Sequence, residues 1–331
     1  MKKSIKRTII IAIAALTASL MIISTGCGST ADTSSKSQEA AVENETEAKK
    51  AAVENDGDYD KVKIAEEDGE SAVSGLKDKK VTKLTLPSAV DSKVITKIGL
   101  SAFEGSALTE VIIPDGYTSI GANAFKDCKS LTKITIPDSV TSIAGYAFEG
   151  CEKLSDIKLP DKVSSISMYA FHDCKALKSV KLPKKLDIVN DFTFSGCENL
   201  ESVELNKGLS RIGCNAFEKC SKLKAVSIPD SVNTLSGYAF SNCASLKDVK
   251  IGSGISSIGV RIFEECKGLE SITIPDTVST IGNFTFFNCE NLSSVTFPKK
   301  LESIGRKAFV GTKVKKDSAP SGCEVDDTAF E

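Results

Sequence analysis

The chain has 331 residues, 42 of them basic and 44 acidic, with a formal net charge of −2. That balance gives no support for nucleic acid or an anionic membrane surface as a partner. There is no tryptophan and a single histidine, His172, so few routes to ordinary acid–base or metal chemistry exist.

The chain opens on a targeting segment. Lys2, Lys3, Lys6 and Arg7 form a basic stretch, and Thr8 to Ile23 is an almost unbroken apolar run of 16 residues, short for a membrane span. It ends in Ser24-Thr25-Gly26-Cys27. This tetrapeptide resembles the lipobox of bacterial lipoproteins, with Ser24 where Leu is usual. The resemblance implies a signal peptide over 1–26 and lipidation of Cys27; an ordinary secretory signal and an uncleaved anchor are the readings that remain beside it. Residues 27–56 lack aromatics before a core could form and are rich in Ala, Glu, Lys and Ser, a composition expected of a flexible tether.

Residues 57–100 are expected to form an N-terminal cap and a degenerate first repeat. Val81, Leu84, Leu86 and Pro87 match a strand and Ile98 a return, with about five residues more than the later units have before Phe103. Upstream, Val62-Lys63-Ile64 and Ala72-Val73 read as strands that cover the open edge.

From 101 to 311 one motif recurs. Phe stands at 103, 125, 148, 171, 194, 217, 240, 263, 286 and 309, with a first step of 22 residues and 23 thereafter. Three residues after Phe comes Cys, from Cys128 to Cys289, in eight successive units; six after comes Leu, from Leu131 to Leu292. Val or Ile follows at nine, an apolar residue at eleven and usually Pro at twelve, as in Pro137 and Pro160, with Asn206 and Gly252 as replacements. Such periodicity predicts a solenoid. Ile134 and Ile136 alternate with exposed residues, as in a short strand with one buried face, and Pro137 closes it. Ala124-Phe125-x-x-Cys128-x-x-Leu131 has apolar spacing of three, which predicts a 3₁₀ or α turn on the opposite side. A single coil cannot offset the entropy of its own ordering, so the coils must stack. Residues 312–331 are expected to hold a partial coil and a tail.

The unit I-G-x-x-A-F-x-x-C-x-x-L-x-x-I-x-I-P resembles the BspA-like (Treponema pallidum type) leucine-rich repeat of bacterial surface proteins. Ile143 to Pro160 carries it nearly in full, with Ala144 where Gly is usual. The resemblance implies a leucine-rich-repeat solenoid of stacked 23-residue coils, with a parallel β-sheet on one face and short turns on the other. It also implies an exported, lipid-anchored monomer at the bacterial cell surface that touches the membrane through its anchor only. Its expected role is non-catalytic binding or adhesion to a host or microbial surface protein or glycan. The rival reading is an envelope spacer without a specific ligand.

Chemistry finds little purchase. A row of cysteines does not converge as zinc ligands must, so buried free thiols are expected, with neither metal nor cofactor. His172 occupies a slot held by Lys126 and Glu149 in neighbouring units, which marks a variable surface position. No phosphate loop, G-x-S-x-G or H-E-x-x-H is present. Candidate binding residues are therefore those that the repeat leaves free. Eight and ten places after Phe, the outward strand positions include Lys133, Thr135, Asp156, Lys158, Lys181, Glu204 and Lys250. Two places before Phe stand Tyr146, Tyr169, Phe192, Tyr238 and Phe284, a row that could form a contact stripe or pack over the coil edge.

Overall fold

The computed structural model describes residues 56–331; the expected targeting segment, Cys27 and nearly all of the expected tether lie outside them. The described chain is a stack of coils whose two extended edges build parallel sheets. The first row of strands includes Lys83–Thr85, Glu110–Ile112 and Lys133–Thr135, then runs from Ser179–Lys181 to Ser294–Thr296. The second row runs from Ser119–Ile120 to Ser303–Ile304 and ends with Glu324–Val325. Pairing is slot to slot. Val180 faces Val203, and Lys181 faces Glu204, so each buried residue meets its own repeat-mate and the same face stays inward.

The core follows from this register. Phe103 through Phe309 are each no more than 2% exposed, and their rings stack in one column. Phe171 and Phe217 both lie 5.4 Å from Phe194, at 4° and 7°. Residues 312–331 extend the column. Glu324–Val325 pairs with Ser303–Ile304, and Phe330 stacks on Phe309 at 5.0 Å.

The N-terminal end is covered by an antiparallel hairpin, Val62–Glu67 with Glu70–Leu76. Its turn is Asp68-Gly69, both at positive φ, the conformation that a two-residue hairpin demands. Glu70–Leu76 then pairs in parallel with Lys93–Ile98. The extra residues before Phe103 form a second small hairpin, Ala89–Val90 against Lys93–Ile98, turned by Asp91 and Ser92. Tyr117 locks this end: its buried hydroxyl donates to the Pro87 carbonyl at 2.7 Å.

The side opposite the strands differs from a helical turn. Among the described residues the only helical stretches are 3₁₀ turns at Tyr59–Lys61 and Lys316–Ser318, both in the caps. In the Phe125 coil the amides of Ala124, Lys126 and Cys128 donate three residues back, to Gly121, Asn123 and Phe125. The intervening amides of Asn123, Phe125 and Asp127 donate to Gly145, Ala147 and Glu149 of the next coil. A helix would send every N–H along its own axis. Alternation instead lets consecutive turns serve as rungs, and it sets the residues two before and two after each Phe at positive φ, as at Asn123 (54°) and Asp127 (55°).

The cysteine column completes the core. Each thiol donates to the Phe carbonyl one coil back: Cys174 to Phe148 at 3.2 Å, Cys197 to Phe171 at 3.3 Å. The same Phe148 carbonyl accepts the Cys151 amide at 3.1 Å, so both of its lone pairs are used. Ser106 and Thr312 take the slot at the two ends, where Thr312 Oγ1 donates to Phe309 at 2.7 Å. All of these cysteines are free. Burial pushes their thiols up, Cys289 to about 12, so they are neutral small apolar groups with one weak donor.

Candidate recognition surfaces

The first-row strands present alternate residues to solvent. Lys133 and Thr135 flank buried Ile134, and Lys181 flanks buried Val180. Many of these charges are paired along the stack. Lys133 Nζ lies 3.1 Å from Glu110, and Lys181 Nζ 2.6 Å from Glu204. Such exposed pairs contribute little to stability, but they neutralise part of the face. In the Phe148 coil, Asp156 and Lys158 keep the outward pattern around buried Ile157, yet the segment does not pair as a strand with either neighbour. A groove of about 550 Å³ lies there, lined by Asp138, Asp156, Lys158, Asp161 and Lys181. Lys250 lines a broader depression of about 860 Å³ with Ser227, Asp248 and Thr273.

The aromatic row is a built feature. Tyr146 and Tyr169 stack at 4.8 Å and 7°, Tyr169 and Phe192 at 4.6 Å and 5°. Lys126 sits over the Tyr146 ring at 5.2 Å while also binding Glu149. His172 meets Tyr169 edge-on at 5.5 Å, and its Nδ1 lies 3.4 Å from Glu149 and 3.7 Å from Asp173. Farther along, the Arg261 guanidinium lies 4.2 Å from the Phe284 ring centre and 5.7 Å from that of Tyr238. Arg306 lies 5.7 Å from Phe284. Tyr238 and Phe284 are thus joined through arginine rather than through each other.

Two properties set this edge apart. Eight large apolar side chains are exposed among the described residues, and five of them (Leu100, Tyr146, Met168, Tyr238 and Val260) stand two or three places before a column Phe. The second is backbone conformation. Tyr146, Tyr169, Phe192, Tyr238 and Phe284 all have φ between 57° and 60°, the left-handed region that bulky side chains disfavour. The other left-handed row, two places after Phe, holds residues that tolerate it, among them Gly105, Asp127, Gly150, Asp173, Gly196, Asn242, Asn288 and Gly311. Two rows share one strained conformation; the row after Phe holds Gly, Asn or Asp in eight of its ten places, with Lys219 and Glu265 as exceptions, whereas the row before Phe holds such a residue only at Asn123 and Asn215.

Sequence reasoning named the five aromatics but missed Arg261, Arg306, Met168 and Val260. The available signal was register, since each occupies the same pair of slots in its own repeat. No nucleophile assembles around the cysteine column. Cys174 Sγ is committed to the Phe148 carbonyl, while His172 faces Glu149 and Asp173. Among the described residues no group of three or more His, Cys, Asp or Glu side chains is placed to hold a metal.

A parallel-sheet solenoid with a continuous core and chemistry confined to variable outward slots defines a leucine-rich-repeat protein. The BspA-type leucine-rich repeat pattern matches residues 96–224 and 210–331, and the chain belongs to that family. It is similar to a leucine-rich cell surface protein of Faecalibacterium prausnitzii, at 27% identity over 84% of this chain and 86% of that one, with a TM-score of 0.60. The pneumococcal vaccine antigen PcpA shares the fold at 19% identity, over 82% and 72% of the two chains, with a TM-score of 0.54. A leucine-rich repeat protein of T. pallidum is also matched, at 21% identity over 78% and 90%, with a TM-score of 0.35. None of the curated proteins compared matches the chain.

Proposed function

We infer that this chain is a non-catalytic recognition protein of the bacterial cell surface that holds a macromolecular partner against the aromatic edge of its solenoid. The observation that carries the reading is the collection of exposed apolar side chains on that edge, with five aromatics kept in a backbone conformation that disfavours them. A spacer would have no use for either, because strain persists where something other than stability selects it. The strand-face residues Lys133, Thr135, Asp156, Lys158, Lys181, Glu204 and Lys250 form the flanking surface. Similarity to the F. prausnitzii cell surface protein supports exposure outside the cell. The basic, apolar and Ser24–Cys27 segments support export and anchoring through lipid on Cys27.

The test compares cells displaying the full chain with cells displaying a Tyr146→Asn, Tyr169→Asn, Phe192→Asn variant. Asn occupies the same slot natively at Asn123 and Asn215, so the backbone is preserved. Adhesion to immobilised host matrix proteins, mucin and other bacteria is measured. The reading expects a partner that wild-type cells hold and variant cells lose. Equal retention by both would leave the spacer as the better account. Fractionation of a Cys27→Ser variant tests the anchor separately, the expected outcome being release from membranes.

A further inference from the structure

We propose that the C-terminal part of this edge, formed by Tyr238, Val260, Arg261, Phe284, Arg306 and Lys307, docks a short extended polypeptide segment bearing alternating acidic and apolar side chains. The proposal rests on the recognition reading above and specifies its partner.

The first argument concerns ring faces. Sugars bind aromatic side chains by lying on an open face. Here Arg261 and Arg306, from the coils before and after, both lie against Phe284, and Arg261 also lies against Tyr238. In the Tyr146, Tyr169 and Phe192 group the rings cover one another. With these faces engaged, the stacked and arginine-capped rings have their edges, which carry positive potential, and guanidinium N–H groups left to offer a partner. That surface accepts carboxylates, main-chain carbonyls and apolar side chains.

The second argument is charge. Carboxylates along this edge are already engaged. Glu264 is bound by Arg261, Glu218 by Asn215 at 3.0 Å, and Glu149 by Lys126. Arg306 and Lys307 form no ion pair among the described residues; Asp326, which feels the Arg306 charge, accepts from Thr328 instead. The last coils therefore present Arg306 and Lys307 outside any direct ion pair, with Asp326 as the neighbouring carboxylate. Arg306, beside the Phe284 ring, keeps its fork of donors for bidentate carboxylate binding, whereas Arg261 gives one arm to Glu264. Tyr238 and Val260, 37% and 42% exposed, supply the apolar half of the surface.

Spacing sets the length. Neighbouring coils are about 4.8 Å apart and an extended chain advances about 3.3 Å per residue. The three coil steps from Tyr238 to Lys307 thus span roughly four to five residues, a short linear segment.

The experiment uses the purified full chain and a fluorescent decapeptide alternating Glu with Leu and Phe. Its controls are the same peptide with Gln for Glu, phosphatidylglycerol vesicles and heparin. The acidic peptide is expected to bind at least about tenfold more tightly than the Gln peptide, and more weakly as salt rises. Phe284→Asn and the double variant Arg306→Gln, Lys307→Gln should each weaken it about fivefold or more at a temperature where both still show a folded, cooperative melt, while Lys63→Gln, on the exposed N-terminal hairpin, leaves it unchanged. Equal binding of the Gln peptide, indifference to both variants, or binding of vesicles or heparin without the peptide overturns the proposal. If the peptide fails but the three-Asn variant still loses its partner on cells, the docking chemistry falls and the recognition reading stands.

Discussion

Replacement of Tyr238 separates backbone strain from side-chain burial. Among the described residues this ring has no aromatic stacking partner; its ring contact is Arg261, at 5.7 Å. It is 37% exposed and sits at φ 60°. A tyrosine buries up to about 150–250 Å², so roughly 100–150 Å² is covered here, corresponding to about 2.5–4 kcal/mol at about 25 cal/mol per Å². Tyr238→Ala loses that burial and leaves a β-carbon in the left-handed region. Tyr238→Asn loses a similar area but puts in a residue that favours the conformation, which costs other side chains about 1–2 kcal/mol. We expect both variants to be destabilised, with Asn the more stable by about 0.5–1 kcal/mol. Urea unfolding of the full-length variants measures this from the midpoints, compared at a common slope. An alanine variant as stable as the asparagine variant would show that this slot is unstrained, and the contrast between the two left-handed rows would lose its meaning.

Other outcomes follow from the columns. Phe194→Ala removes a fully buried ring stacked on both sides and should cost about 3–5 kcal/mol; a loss below about 1 kcal/mol in denaturant unfolding would contradict its place in the core. Phe330→Ala, at the half-buried end of the column, should cost distinctly less. Toward a thiol reagent at mildly alkaline pH, half-buried Cys214 and Cys323 should react before the eight column thiols. Because burial raises the folded thiol pKa, the stabilisation is complete below the ordinary thiol value of about 8.5 and declines as pH rises above it. The thermal midpoint should therefore drop on alkaline titration, and replacing column cysteines with alanine should flatten that drop. Glu66, Glu110, Asp161 and Glu201 are held below the usual carboxylate range by hydrogen bonds from Lys93, Lys133, Lys184 and Lys224. Their contribution is present above the unfolded carboxylate pKa and is lost as pH falls through the folded one, so the midpoint should fall below about pH 4, less so in high salt.

The core was legible because the repeat samples each slot many times. Phe, Cys and Leu recur at fixed offsets, and the structure buries all three columns. The alternation around Ile134 gave the strand row and its outward positions. Less legible was what the backbone does between them. Apolar spacing of three is equally compatible with a helical turn and with consecutive turns whose amides alternate between coils, and only the second bonds neighbouring coils together. The interruption at Asp156–Lys158 could not be read at all: Asp-Ile-Lys obeys the strand pattern of its neighbours, and nothing in those residues explains why the segment fails to pair.

The left-handed edge shows where a repeat hides information and where it keeps it. All units share one conformation at the slot two before Phe, while its residue varies from Ser101 to Lys307. Tyrosine, phenylalanine or arginine there says nothing about φ, because none of them prefers it. Asn123 and Asn215 do, since Asn tolerates the left-handed region. The two asparagines of the slot thus report its backbone, and its five aromatics, of ten residues, are the ground of the recognition reading. A chain selected for stability alone would have placed Asn or Gly at every one of these positions, as it does at six of the ten places two after Phe, with Asp at two more. That it keeps aromatics and cations instead, on the edge where its exposed apolar side chains also collect, is the physical ground for placing recognition there rather than across the whole strand face.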